Sequence, residues 1–189
     1  MKKLFFTLSA LLASFNSFAH PHVWVHTDLT LLTDNSTIKG LKVHWAFDEM
    51  YSTAFMMDAD MNGDGELDAA ERKIMEKQVM QQAVSRLRPF VMLKLNGFDV
   101  RDFSFDDLKI TYDKEAEKVN YDFVVKLKKA QKLNGSHKLA ILDKEYYVGF
   151  EQSYNFGIPS NCSFELEEDM DILLYDGLIN PETYKLTCK

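Results

Sequence analysis

Val23-Trp24-Val25-His26-Thr27-Asp28-Leu29-Thr30-Leu31-Leu32 and Thr37-Ile38-Lys39-Gly40-Leu41-Lys42-Val43-His44-Trp45-Ala46-Phe47 flank the turn signal Asp34-Asn35-Ser36. Both runs alternate with period two, which predicts a β-hairpin. Val23, Val25, Leu29 and Leu31 share one face of the first strand, and His22, Trp24, His26, Asp28 and Thr30 share the other. Leu41, Val43, Trp45 and Phe47 form the apolar face of the second strand, with Lys42, His44 and Ala46 opposite. A one-residue slip would turn one apolar set to solvent. A three-residue turn over 34–36 pairs Thr33 with Thr37, Leu29 with Leu41, Val25 with Trp45 and Val23 with Phe47. That register sets His26 opposite His44, with Cβ atoms ~5 Å apart.

After Phe47 the period changes. Asp48 is a helix cap before roughly Glu49 to Asp58. A second helix is predicted from Ala69 to Leu87, with Met75, Val79, Ala83 and Leu87 four apart; Arg86 and Arg88 suit its C-terminal dipole and Pro89 stops it. Strands are expected over Phe90–Leu95, Phe98–Phe105 after the Asn96-Gly97 turn, Lys118–Leu127 and Lys138–Phe150. The last 40 residues read as irregular structure. The expected fold class is α+β: antiparallel strands with an inserted EF-hand-like helix-loop-helix over 48–87.

The chain has 189 residues, 46% hydrophobic and 27% charged, which fits a single globular domain. With 29 acidic and 22 basic residues, its formal charge of −7 excludes a basic nucleic-acid footprint. Residues 1–19 read as a cleavable signal peptide: Lys2 and Lys3, an apolar run from Leu4 to Leu12, then Ser17-Phe18-Ala19. The run is shorter than the ~20 residues of a membrane span, so no membrane anchor is expected. This predicts a periplasmic domain over 20–189 beginning at His20. Cys162 and Cys188 are the two cysteines, and an even count in an exported chain predicts a disulfide.

The sharpest motif is Asp60-Met61-Asn62-Gly63-Asp64-Gly65-Glu66-Leu67-Asp68-Ala69-Ala70-Glu71. Read as a twelve-residue EF-hand loop, it puts Asp60, Asn62 and Asp64 at positions one, three and five. Gly65 takes the sharp turn at six. Glu66 offers its carbonyl at seven, Asp68 a water-mediated contact at nine, and Glu71 both carboxylate oxygens at twelve. Calcium is a hard cation taking 6–8 oxygens, and this spacing wraps them round one point. Calcium is therefore an expected cofactor, acting as a structural clip. An ion-free Asx turn capping the second helix is the alternative.

Four of the five histidines, His20, His22, His26 and His44, fall close to the predicted processed end. Histidine is a common ligand for zinc, nickel, cobalt and copper. His22 and His26 lie ~13 Å apart along one strand, too far for one ion. His26 and His44 are better placed, with Asp28 and Asp48 as oxygen donors. Pro21 lacks the N–H that the usual amino-terminal copper and nickel motif needs. A histidine brace through His20 stays open. His137 reads as a surface residue.

His20-Pro21-His22-Val23-Trp24-Val25, then Trp45-Ala46-Phe47-Asp48-Glu49, then the acidic loop ending at Glu71 resemble domain-of-unknown-function family 1007. Its members are exported bacterial proteins often labelled an ABC-type uncharacterised transport system, periplasmic component. The resemblance spans the mature chain. It implies a metal accessory role beside an inner-membrane permease of the nickel/cobalt type, with His20, His22, Trp45, Phe47, Asp48 and Glu49 as motif positions. The family's usual Thr is Ala46 here, which weakens a ligand network through that position. The reading is a metal-handling protein, not an enzyme, since no G-x-S-x-G or H-E-x-x-H occurs. A calcium-dependent interaction module and a copper histidine-brace enzyme are the alternatives. The sequence leaves the metal's identity and the oligomeric state open.

Overall fold

The computed structural model describes residues 21–189; residues 1–19, expected to be a signal peptide, and His20 lie outside them. The hairpin forms as β1 (Val23–Asp34) and β2 (Thr37–Phe47), followed by α1 (Glu49–Ala59) and α2 (Ala69–Arg86). Eight further strands follow: β3 (Val91–Leu95), β4 (Phe98–Asp99), β5 (Phe103–Asp113), β6 (Lys118–Lys132), β7 (Gly135–Ile141), β8 (Val148–Gly157), β9 (Cys162–Glu168) and β10 (Glu182–Cys188). They make two five-stranded sheets, ordered β5-β6-β2-β1-β8 and β4-β3-β7-β10-β9.

The α+β expectation is therefore wrong. Strands take 53% of the described residues and helices 21%, a β-rich fold of two sheets. One reason lies in the last 40 residues, which supply β9, β10 and the end of β8 instead of irregular chain. Another lies in how the helices pack. They do not close on each other as an inserted hand; α1 leans on β6 and α2 on β5 of the first sheet. Val119 of β6 donates its N–H to Ser52 Oγ of α1 (2.9 Å), and Ile110 of the edge strand β5 donates to Glu76 Oε1 of α2 (3.0 Å). The helices thus occupy strand N–H groups that an open edge would leave exposed. The all-antiparallel expectation also fails, because β8 runs parallel to β1.

The β1–β2 register differs from the sequence prediction by two residues. The turn is Asn35-Ser36, with Asn35 at φ 52°, and Asp34 pairs with Thr37. A bulge near Gly40 then yields Leu31 opposite Leu41, Leu29 opposite Val43 and Val25 opposite Phe47. Gly40 is required there, since a Cβ would meet Val125 O at 2.1 Å. A shift of two preserves the apolar face, because side-chain direction also repeats every two residues. It does change the partners on the polar face.

Trp45, 2% exposed, sits at the centre of the core. Its ring lies 4.9 Å from Phe123, 5.2 Å from Phe150 and 6.3 Å from Phe90. Phe90 joins the chain between α2 and β3 to this cluster. Full burial of such aromatic rings is worth roughly 2–3 kcal/mol each. His137 is not on the surface as predicted: it is 2% exposed, with Nε2 2.7 Å from Leu133 O. The Cys162–Cys188 disulfide forms between directly paired residues of β9 and β10. Closing that loop is worth ~3 kcal/mol in the chain-entropy picture.

Burial raises the pKa of three phenols, Tyr51, Tyr121 and Tyr184, above the ordinary tyrosine range. Tyr51 and Tyr121 share a hydroxyl contact of 3.3 Å, and the charge of Asp28 adds to the effect at Tyr184. Below pH ~10 both folded and unfolded chains keep these protons; above it only the unfolded chain loses them, so stability falls as pH rises. The expected result is that denaturant added at pH ~11 releases phenolate absorbance equivalent to three tyrosines. No absorbance step on unfolding would contradict the burial.

Candidate functional site

The loop between α1 and α2 is built from its own side chains. Asp60 Oδ1 accepts N–H bonds from Gly63 (2.8 Å) and Asp64 (3.1 Å), and Asp60 Oδ2 accepts one from Gly65 (2.7 Å). Asn62 Oδ1 accepts from Asp64 N (2.8 Å), and Asp64 Oδ1 from Glu66 N (2.9 Å). Gly63 and Gly65, at φ 75° and 77°, supply the left-handed turns. Asp68 caps α2, accepting from Ala70 N and Glu71 N, while Glu71 Oε2 accepts from Asp68 N: a complete capping box. Glu71 is 4% exposed, and its Oε1 accepts from Met61 N (2.7 Å) and Asn62 N (3.2 Å). The last residue of the motif therefore reaches across and closes the loop on its first turn. The Glu66 side chain turns out to Lys114 (3.1 Å), away from the loop interior.

This geometry serves both readings of the motif. The amide bonds are those of an Asx-rich turn capping a helix. The same bonds also hold the oxygens of Asp60, Asn62, Asp64, Asp68 and Glu71 on one short loop. Asp60 Oδ2, Asp64 Oδ1 and Glu71 Oε2 accept one amide each and keep a second lone pair, whereas Asp60 Oδ1, Asp68 Oδ1 and Glu71 Oε1 already accept two. Oxygen donors suit a hard cation such as calcium, and taking one would require these side chains to turn from the amides, since as they stand they form no group able to hold a metal.

The second cluster is the polar face of the first sheet. The two-residue shift places His44 opposite Asp28 on β1, and His26 opposite Ala46. On its other side His44 pairs with Asp122 of β6, Nδ1 to Oδ1 at 3.1 Å. A row Asp28–His44–Asp122 thus crosses three strands. His26 Nε2 stands 3.6 Å from Asp28 Oδ1, and its Nδ1 3.6 Å from Glu151 Oε2 of β8. The imidazoles each sit among carboxylates and do not face each other directly. Among the described residues, no three His, Cys, Asp or Glu side chains form a group able to hold a metal as they stand.

Asp122 and Glu151 were missed by sequence reasoning. Alternation over Lys118–Leu127 shows which face Asp122 takes, but nothing local shows that β6 lies beside β2. Nor does any local signal announce the parallel β1–β8 pair.

The motif residues at the start of β1 and α1 have a mechanical role. Asp48 Oδ1 caps α1 by accepting from Tyr51 N (2.7 Å), and its Oδ2 accepts from Trp24 N (2.5 Å). Asp48 N in turn donates to Trp24 O (2.9 Å). Both oxygens are thus engaged in tying the helix start to β1, which sets Asp48 apart from the histidine cluster. His22 lies beside Tyr147, ring centroids 4.7 Å apart. Phe47 stacks on Tyr51 at 4.2 Å, so the Trp45, Phe47 and Asp48 positions of the motif build the core and the helix cap.

A family model described as "Protein of unknown function (DUF1007)" matches residues 5–171. No curated protein and no solved structure matches the chain.

Replacing Asp48 by Ala removes the cap, worth about 0.5–2 kcal/mol, and leaves Trp24 N without its acceptor. The expected loss is about 1–3 kcal/mol by urea unfolding, only partly recovered in Asp48→Asn, whose single carbonyl oxygen can accept from Tyr51 N or Trp24 N but not both. A variant as stable as wild type would contradict the tie.

Proposed function

The chain belongs to the DUF1007 family, and from that premise we propose that it is an exported cation-handling protein. It holds calcium in the loop 60–71 as a structural clip and binds a divalent transition metal (zinc, nickel or cobalt) on the polar face of the first sheet. Its partner in this reading is an inner-membrane metal permease, an assignment that rests on the family resemblance. The observation that carries the proposal is the loop. Asp60, Asp64, Glu66, Asp68 and Glu71 put five negative charges in twelve residues, with Lys114 as a counter-charge beside Glu66. Backbone amides orient these groups but leave their net charge in place. A bound dication offsets that repulsion and ties α1 to α2.

The transition-metal half is supported by His26 and His44 with Asp28, Asp122 and Glu151 on four adjoining strands. Imidazole and carboxylate suit zinc, nickel and cobalt. Binding requires side-chain rotation, since His44 is now turned to Asp122 and His26 lies between Asp28 and Glu151.

Extracellular calcium modules bind at about 10⁻⁴–10⁻³ M. At a concentration near 100 times the dissociation constant, calcium adds ~2.7 kcal/mol to stability. At that concentration, about 10–100 mM calcium, the melting temperature of the mature protein is expected to rise by ~5–10 °C over chelator. Asp60→Ala with Glu71→Gln should abolish the rise. Equilibrium dialysis is expected to find one micromolar zinc or nickel site, lost in His26→Ala with His44→Ala. Identical melts in calcium and chelator would overturn the clip. Equal weak metal uptake by wild type and the double variant would overturn the histidine site.

A further inference from the structure

The start of β1 and the outer face of α1 enclose a groove of about 660 Å³. His22 and Trp24 line it from β1, and Met50, Thr53, Ala54 and Met57 line it from α1. It shares no residue with the loop 60–71 or with the cluster around His26 and His44.

Helical spacing makes one wall. Residues 50, 53, 54 and 57 share a face of α1, with Met50 and Met57 two turns, or ~10 Å, apart along the axis. Thr53 and Ala54 are small, so the space between the two methionines stays open. Met50 is 65% exposed and Met57 79%, so both are reached from solvent and neither is needed by the core. The strand wall is fixed to the helix start, because Asp48 bonds both the N–H and the carbonyl of Trp24. His22 is two residues before Trp24 and lies on the same face of β1. A Cβ at Gly149 would meet Pro21 Cγ at 2.7 Å and Trp24 Cε3 at 2.8 Å, so the glycine lets this end of β1 lie close on β8.

Leucine at 50 and 57 would supply the same apolar surface; methionine adds a polarizable sulfur with lone pairs. Thioether sulfur selects soft ions and is a poor donor to hard ones such as calcium, and imidazole accepts the same soft metals. Cys162 and Cys188 are joined in the disulfide, so no thiolate competes. Trp24 is 51% exposed, and an indole face attracts a cation. The N-terminus of α1 carries about half a positive charge, which the carboxylates of Asp48 and Glu49, both lining the groove, outweigh.

We propose that this groove binds copper(I), held by the imidazole of His22 and the thioethers of Met50 and Met57, with the Trp24 ring beside the ion. The sulfurs close on it by rotation of exposed side chains, which the three rotatable bonds of methionine allow. Three neutral donors leave the bound ion a monocation, the form that an aromatic face favours.

The test is titration of the mature protein with silver(I), a redox-stable probe of the same soft class, followed by NMR of methionine ε-methyl groups. The Met50 and Met57 signals are expected to shift together and saturate at one equivalent, with a dissociation constant below roughly 10 μM. The exposed Met61 and Met170 should stay in place. Tryptophan emission should change in step, since Trp24 is exposed and the other tryptophan, Trp45, is buried. Met50→Leu and Met57→Leu keep the apolar surface and should each weaken silver(I) at least tenfold, as should His22→Gln. Zinc uptake should match wild type in all three variants, which separates this site from the one at His26 and His44. Copper(I), supplied anaerobically with a reductant, should displace the silver(I). Equal shifts at Met61 and Met170 would mean adventitious thioether binding only and would overturn the assignment. So would wild-type affinity in the two methionine variants, copper(I) that fails to displace silver(I), or no saturation by 1 mM.

Discussion

β1 is the strand on which everything else depends. It pairs with β2 on one side and β8 on the other, so its register fixes both faces of the first sheet at once. On the inner face the row Gln152–Thr27–Trp45–Tyr121 crosses four strands. Trp45 anchors the aromatic core at its middle, and Gln152 ends the row with its Nε2 donating to Ile141 O. On the outer face Asp28, His44 and Asp122 stand side by side. Because strand geometry repeats every two residues, the tighter turn and the bulge at Gly40 together move partners by two without moving faces. The core tolerates that shift, while the chemistry of the outer face is decided by it.

The same strand is tied to the helical unit. Asp48 holds Trp24 at its backbone and caps α1 with its other oxygen, so the start of β1, the end of β2 and the first helix turn form one rigid corner. From there α1 leads into the acidic loop and α2 returns to cover β5. The helices are thus a cover for a β-sheet edge, joined by a loop whose charge is concentrated. That arrangement explains how a twelve-residue EF-hand pattern can live in a β-rich fold without a paired hand. Its two helices are held by strand N–H groups at Val119 and Ile110, not by each other.

Local signals were legible and long-range ones were not. The cap Asp48, the stop at Pro89 and the face parity of β1 and β2 follow from period and side-chain chemistry, and the structure has them; Asp68, read as a calcium-loop position, also proves to cap α2. The disulfide followed from an even cysteine count in a chain read as exported. The two-residue register error has two parts: taking 34–36 as the turn, when Asn35 adopts the left-handed conformation in a tighter one, accounts for one residue, and the bulge beside Gly40 for the other. The C-terminal strands were missed although Phe164 and Leu166 alternate with Glu165 and Glu167, and Tyr184, Leu186 and Cys188 with Lys185 and Thr187; the runs are only seven residues long, and the acidic stretch and the two prolines beside them were read as irregular chain. Placement of Asp122 and Glu151 beside the histidines required β6 and β8 to be assigned to their neighbours, which no local pattern encodes. His137 looked like a loop residue because burial of a lone imidazole depends on the carbonyl that receives it, here that of Leu133.

The central claim is that the loop 60–71 takes a hard dication through oxygens that backbone amides already orient. The most direct measurement is a calcium titration followed by amide NMR on the mature protein, watching Gly65, whose N–H donates to Asp60 Oδ2 at 2.7 Å. The account predicts that this signal shifts and saturates at one equivalent of bound calcium, together with Asp64 and Glu66, while signals from β9 and β10 stay in place. A Gly65 amide that does not move up to about 10 mM calcium, well above the affinity range of extracellular calcium sites, would contradict it.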